Sequence, residues 1–307
     1  MSATEDVAVG ARLAERYPTP FLTILFTLRR RRSVPEDLFY AYWRDTHCQI
    51  SARLPGMHQL WIHFLDYDRG RAWPQVPGIG QELAEADRFE GVPEPVFLTE
   101  ADVNRFGAAM TPLMNDEVNI FEETIGYQAL GSNSATICDR LAEPAPDLPE
   151  GVLRFLVFCK QSDGIEPDRF RAFMRERLAP AWAESDEVLK LRMHLFEPYV
   201  NEDLLMDARD LSHYKAPDKQ YQACLEVVFD DALAMRRFAA SAAWLGEEQG
   251  RHMREQHAFE VVRRYTMRYG GRMTLTGLRG SAVAEQIRRI GAVNQLESEV
   301  VELLGGY

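Results

Sequence analysis

Phe21-Leu-Thr-Ile-Leu-Phe26, Pro35-Glu-Asp-Leu-Phe-Tyr-Ala-Tyr-Trp-Arg-Asp-Thr-His47 and Leu60-Trp-Ile-His-Phe64 form one pattern. It returns 131 residues later as Val152-Leu-Arg-Phe-Leu-Val-Phe158, Pro167-Asp-Arg-Phe-Arg-Ala-Phe-Met-Arg-Glu-Arg-Leu178 and Leu191-Arg-Met-His-Leu195. At that offset Asp37 meets Asp168, Phe39 meets Phe170, Ala41 meets Ala172, Arg44 meets Arg175 and His63 meets His194. Two positions break the match: Trp43 meets Met174, and His47 meets Leu178. A unit written twice fixes the architecture. Where the copies differ, chemistry is expected in one copy only.

Working outward, Ser33 ahead of Pro35, with Glu36 three residues on, predicts a helix start. Leu38, Phe39, Tyr42, Trp43 and Thr46 fall on one face of that helix. The β-branched and aromatic run 20–28 predicts a strand before it, and 59–66 predicts one after it. A Gly/Pro-rich loop, 69–95, leads through Val96-Phe-Leu98 to a helix over 101–114 and a strand over 119–128. The order β-α-β-β-α-β is the split βαβ of the ferredoxin type. The second copy predicts strand 152–160, helix 167–184, strand 189–197, a long polar loop 199–220, strand 221–229, helix 231–255 and strand 258–268. Residues 281–305 predict a final amphipathic helix, with Val283, Ile287, Ile290, Leu296, Val300 and Leu303 on its packing side. The expected division is an arm 1–17, a first unit 18–130, a linker 131–150, a second unit 151–270 and a helical extension 271–307.

A ferredoxin-like sheet covers one face with its helices and leaves the other bare. Two such sheets are stable when the bare faces meet. The fold expected is therefore α+β: two tandem ferredoxin-like units in an intramolecular pseudo-two-fold α/β barrel, followed by a C-terminal helix. The space between the sheets is the expected cavity for a small, largely apolar ligand.

The 307 residues are 46% apolar, enough for a substantial core. The net charge of −12 is spread along the chain, which argues against nucleic acid or an anionic membrane as partner. Cys48, Cys138, Cys159 and Cys224 have no CxxC spacing and are expected as free thiols in a reducing, cytoplasmic setting. No signal-peptide pattern and no run near the roughly 18 apolar residues of a membrane span are present. HExxH, GxxxxGK, GxGxxG after a strand and a serine elbow are missing too, so zinc hydrolase, kinase and dinucleotide-dehydrogenase chemistry are not indicated. His252 and His257 lie five apart, on different sides of a helix, and no metal site is expected.

Phe39-x-x-x-Trp43-x-x-x-His47 after Ser33-x-Pro35, followed by Leu54-Pro-Gly, resembles the EthD signature of the dimeric α/β-barrel superfamily. Glu90-Gly-Val-Pro-Glu is similar to that family's third strand. The resemblance covers the first unit well and the second weakly, which implies a fused dimer. It implies a small-molecule enzyme, with His47 in the acid–base position. EthD proteins usually read His-x-Pro there, whereas this chain reads His47-Cys48-Gln49 and its second unit reads Leu178-Ala179-Pro180. One such site per chain is the consequence.

The leading expectation is a cofactor-independent dehydration, decarboxylation or isomerisation of a hydrophobic, aromatic or polyketide-like molecule. His47, His63 and His194 are the candidate catalytic residues. If Leu60, Ile62 and Phe64 pack under the helices, alternation points Trp61, His63, Arg192 and His194 into the barrel. They then either bind a ligand or pair with one another. Arg154 and Glu226 share that face, as an ion pair or as ligand contacts. Trp43 and Tyr40 on the first helix are core or stacking residues. The rival readings are a cofactor-free monooxygenase, a haem protein with His194 or His213 as axial ligand, and an accessory binding protein. The loops carrying Trp73 and His213 are expected to cover the cavity, and further homodimerisation is left open.

Overall fold

The computed structural model describes residues 13–141, 151–201 and 211–304. The first unit comprises β1 (Leu22–Arg30), α1 (Glu36–Tyr42), a π-helical turn (Trp43–His47), α2 (Cys48–Arg53), β2 (Gln59–Asp66), α3 (Tyr67–Gly70), β3 (Gly91–Phe97), α4 (Glu100–Ala109), α5 (Thr111–Ile120) and β4 (Phe121–Leu130). After β5 (Ser134–Asp139), the second unit repeats the plan. It contains β6 (Leu153–Gln161), α6 (Pro167–Phe173), a π-helical turn (Met174–Leu178), α7 (Ala179–Glu184), β7 (Lys190–Leu195), β8 (Ala223–Phe229), α8 (Ala232–Ala239), α9 (Gly246–His252) and β9 (Met253–Tyr269). A short β10 (Arg272–Met273) pairs with β9, and α10 (Leu275–Arg279), α11 (Ser281–Ile290) and α12 (Ser298–Leu303) follow. Both units carry a π turn at the same repeat position. The geometry is shared although Leu178 stands where the first unit has His47.

The strand order is β4-β1-β3-β2-β9-β6-β8-β7-β5. Each unit contributes the antiparallel ferredoxin order, and two long strands tie the units together. β9 pairs with β6 through its first half (Phe155↔Glu260) and with β2 through its second (Leu60↔Arg268). The mirror-image task falls to β4 and β5, which pair with β1 and β7. Only the turn Gly131–Asn133 separates these two strands, and Gly131 takes the positive φ of 52° that glycine tolerates. The sheet thus returns on itself as a barrel, its two end strands β4 and β5 following one another in the chain. It is the expected α+β pseudo-two-fold arrangement.

Alternation sorts the strands into three layers. Leu28, Leu60, Ile62 and Phe64 pack under the helices of the first unit. Phe155, Val157, Leu191, Met193, Leu225 and Val227 do so in the second. Leu25, Leu65, Val92, Ile125, Leu156, Phe158 and Phe259 fill part of the barrel interior.

Local expectations needed revision in several places. The segment 131–150, expected as a linker, contains β5, because its β-branched Thr136 and Ile137 complete the barrel seam; residues 142–150 lie outside the described residues. Pro35, not Ser33, occupies the N-cap of α1, with no side-chain cap bond. Leu38 is 55% exposed and Thr46 is exposed, so the inward stripe is Phe39, Trp43 and His47. The π turn explains this, since its extra residue per turn brings His47 back beneath Trp43. The helix expected over 101–114 breaks at Met110, and Pro112 starts α5, which runs on to Ile120. The helix expected over 231–255 ends at Ala239; a 3₁₀ turn (Ala242–Trp244) and Leu245, left-handed at φ 55°, separate it from α9, and β9 begins at Met253. The C-terminal helix is broken into pieces, and Ile290, Leu296 and Leu303 are exposed rather than packed. Of the arm, residues 1–12 lie outside the described residues, while the Tyr17 hydroxyl donates to Asp139 at 2.6 Å.

Candidate functional site

A cavity of about 240 Å³ opens in the first unit, between the outer face of its sheet and its helices. The cavity was expected between the two sheets; most of that interior is instead filled by packed and paired side chains. The sheet wall is Ile24, Phe26, Leu60, Ile62, Pro93 and Pro95. Pro93 and Pro95 have no N–H to offer β1, and the β1–β3 register is interrupted between Thr23 and Leu28. The helix wall brings Trp43, His47 and Ser51 from the first helical segment and Met110, Met114 and Glu117 from the second. Trp43 is fully buried and stacks on Phe64 at 4.5 Å. A Cβ on Gly91 would overlap its indole ring, so the sheet needs glycine there.

His47 is 4% exposed and lies edge-on to Phe121, with ring centroids 5.3 Å apart. Its Nδ1 meets Asp116 Oδ2 at 2.9 Å. Asp116 also accepts from the Tyr42 hydroxyl at 2.7 Å and from Asn119 Nδ2 at 3.1 Å. The hydrogen bond from His47 is the main force pulling the Asp116 carboxyl down to about 2; burial opposes it, and the bonds from Tyr42 and Asn119 help it. An ionised carboxylate only accepts hydrogen bonds. It therefore fixes the proton on Nδ1 and leaves Nε2 as the basic nitrogen. The next residue, Glu117, has the opposite environment. It is half-buried at the cavity wall without a hydrogen-bond or ion-pair partner among the described residues. Burial, then the charge of Asp116, pushes its carboxyl up to about 8.

The second unit closes this cavity. Glu197, Pro198, Tyr199, Val200 and His213, from the loop after β7, line it. The loop is pinned to the first unit by Glu197 N–H to the Gln128 carbonyl (2.8 Å) and Thr124 N–H to the Ser212 carbonyl (2.9 Å). In return, the loop after α3 enters the second unit. There Trp73 packs among Phe155, Trp182, Phe229 and Trp244 at 5.2–6.2 Å between centroids. The covering role expected of the two loops thus takes different forms. One roofs a cavity and the other plugs its counterpart. Leu178 and Trp182 stand where the first unit has His47 and Ser51.

The remaining candidates sit on the other side of the sheet. His63, His194, Trp61, Arg154, Arg192 and Glu226 all face the barrel interior and are buried. Glu94, overlooked in the sequence, joins them. Arg192 makes a two-pronged ion pair with it, one prong at 2.9 Å, and reaches Glu226 at 3.2 Å. Arg154 also pairs with Glu226. His63 Nε2 lies 3.3 Å from Glu94, and His194 Nδ1 lies 3.1 Å from the Ser134 hydroxyl. The Arg192 guanidinium covers the Trp61 ring at 4.6 Å. Burial lowers His63 to about 4 and His194 to about 3, so both are neutral at pH 7. Burial works against ionisation of Glu94, but the charge of Arg192 outweighs it and holds the carboxyl well below its usual range. A recess of about 230 Å³ at the barrel mouth, lined by Tyr17, Thr23, Gln59, Ser134 and Arg192, is the space left there. Tyr40 packs on Phe64 at 5.0 Å, outside the cavity.

Of the sequence candidates, then, Trp43 and His47 meet at the cavity, and the barrel residues form a separate network. Asp116, Glu117, Ser51 and Thr124 were not singled out. The consecutive acids on a helix rich in Leu and Met were the available signal. Among the described residues no group of three or more His, Cys, Asp or Glu side chains is placed to hold a metal ion. Nor is any helix among them long and apolar enough to cross a membrane. All four cysteines are free, as expected.

No family model and no curated protein matches the chain. Solved structures resemble it. A provisionally assigned monooxygenase from Lactobacillus acidophilus NCFM is 10% identical over 81% of this chain and 97% of its own, with a TM-score of 0.45. Another, from Fusobacterium nucleatum subsp. nucleatum ATCC 25586, is 7% identical over 81% and 95%, with a TM-score of 0.49. A dye-decolorizing peroxidase from Bacteroides thetaiotaomicron VPI-5482 is 10% identical over 89% and 96%, with a TM-score of 0.42. The likeness is one of fold alone. It carries nothing about substrate or reaction.

Proposed function

We propose that this chain is an enzyme that moves protons on a small, neutral, hydrophobic molecule held between the sheet and helices of its first unit. One observation carries the reading: Asp116 and Glu117 have carboxyls driven apart, to about 2 and about 8, beside a histidine at an apolar cavity. Titratable neighbours pushed in opposite directions are the usual mark of an acid–base pair. His47 Nε2 removes a proton from the substrate while Asp116 stabilises the imidazolium that forms. Glu117, protonated at neutral pH, returns a proton to the oxygen on which negative charge develops. One proton is taken and one is given, which suits dehydration or isomerisation. Decarboxylation is less favoured, since a carboxylate substrate would find Glu117 and Glu197 in the lining and no lysine or arginine. The EthD resemblance belongs to the same reading, because its motif residues Trp43 and His47 both line this cavity.

Size sets the substrate class. A cavity of about 150 Å³ accommodates benzene, so about 240 Å³ suits a molecule of one or two rings. A haem fits poorly: the space is small for a macrocycle, and its propionates would face acids rather than cations. The test is deuterium uptake from D₂O at C2 of 1-tetralone, a neutral two-ring ketone, followed by NMR. The protein is expected to accelerate exchange, and His47→Gln is expected to lower the rate by about 10²–10⁴-fold. Exchange at the wild-type rate in His47→Gln would remove His47 from the mechanism.

A further inference from the structure

Besides the Glu117 carboxyl, two buried polar atoms on the cavity wall lack partners among the described residues, and they belong to neighbouring side chains. The first is Nε2 of His213. Nδ1 of this residue lies 3.0 Å from the Thr124 carbonyl, which only accepts. The proton is therefore on Nδ1, and Nε2 is a lone-pair acceptor, buried and unpaired. The second is the Thr124 hydroxyl, also buried and unpaired, on a residue 3% exposed. Thr124 faces the cavity because Ile125 and Tyr127 take the interior side of β4. Both groups are held in place. Ser212 is bonded to the Thr124 N–H and to the Glu122 carbonyl, each at 2.9 Å, and the Tyr199 hydroxyl donates to the His213 carbonyl.

We propose that His213 and Thr124 form a hydroxyl-recognition subsite, supplied jointly by the two units, and that the substrate is a neutral ring compound bearing a hydroxyl group. The ligand hydroxyl donates to His213 Nε2 and accepts from Thr124 Oγ1. Such a pair satisfies both wall groups at once, which no purely apolar ligand and no carboxylate does. Buried polar groups left unpaired penalise the analogue that lacks the matching group. The subsite therefore sets specificity, while His47 and Glu117 act on the substrate's reactive carbon and oxygen. It rests on the reading of this cavity as the substrate site, but it does not require turnover.

Equilibrium dialysis of 1-naphthol against the near-isosteric 1-methylnaphthalene tests it. The wild-type protein is expected to bind 1-naphthol about ten- to a hundredfold more tightly. Thr124→Val, which keeps shape and strand preference, and His213→Phe are each expected to bring that ratio close to one. Equal affinities in the wild type, no binding of either probe, or an unchanged ratio in Thr124→Val would overturn the subsite. An intact ratio combined with absent deuterium exchange would instead count against the acid–base reading alone.

Discussion

A carboxyl that accepts from an imidazole N–H and a phenol is held ionised, whereas one facing apolar side chains is held neutral. Asp116 and Glu117 stand on either side of that division although they are adjacent in the chain. Glu117 donates only while protonated, so kcat/KM for the exchange reaction is expected to fall as pH rises through about 8. Glu117→Gln should lower the rate and abolish this alkaline limb; a variant that kept the limb would show that another group is the acid. The same shift bears on stability. The folded carboxyl holds its proton between its ordinary 4.5 and about 8 while the unfolded one has lost it, so this group's contribution declines as pH rises across that window. Of these residues, His47 and Trp43 were legible in the sequence because helical spacing and the broken repeat marked them. Glu117 was not, because its neutral state comes from the desolvation of one side chain, and Pro112 masked how far α5 runs.

At the scale of elements, the two units keep the same π turn and exchange loops, yet in the first the turn lines a cavity and in the second it packs into an apolar core. The difference traces to a few side chains. Ser51 in the first unit corresponds to Trp182 in the second, and Trp73 adds an indole that the first unit has no counterpart for. Ser51→Trp is accordingly expected to leave the circular-dichroism spectrum unchanged and to abolish 1-naphthol binding, since the ring would occupy the space the ligand needs. Trp73→Ala should do the reverse, costing about 3–5 kcal/mol of stability through the void it leaves while probe binding in the first unit is retained. Normal naphthol affinity in Ser51→Trp would mean that the ligand sits elsewhere. The strand and helix order was readable from the repeat, down to β9 and the first helix. The position of the cavity was not. Alternation separates the two faces of a strand, but it does not say which face packs tightly. Glu94 illustrates the difficulty. It alternates with Val92 and Val96 as an interior residue should, but with Pro93 and Pro95 beside it 69–95 read as a loop, and a strand there was marked by the family resemblance alone.

For the whole molecule, the barrel interior is half apolar and half ionic. Arg154, Arg192 and Arg264 face Glu94 and Glu226, with His63 and His194 among them and Lys190 beside Asp139 at 3.3 Å. Such a network stabilises a fold only while every charge keeps its partner; breaking one buried pair costs about 3–5 kcal/mol. Its histidines give it a pH limit. Unfolded, they take up protons near the ordinary 6.5; folded, burial defers this to about 4 for His63 and about 3 for His194. Between those values the unfolded chain binds more protons, so stability rises with pH across the window and is lost as pH falls from 6.5. Glu94 adds to the loss below its ordinary 4.5, because the folded state resists protonating it. The urea midpoint is therefore expected to be highest near neutrality and to drop steadily between pH 6.5 and 4.5. Replacing both residues, as His63→Gln with His194→Gln, should flatten that stretch and leave the steeper fall below pH 4.5. A wild-type midpoint that falls no more steeply between pH 6.5 and 4.5 than that of the double variant would mean that the two histidines are protonated inside the barrel without cost. The closed, neutral-histidine interior described by their burial and their contacts with Glu94 and Ser134 would then be wrong.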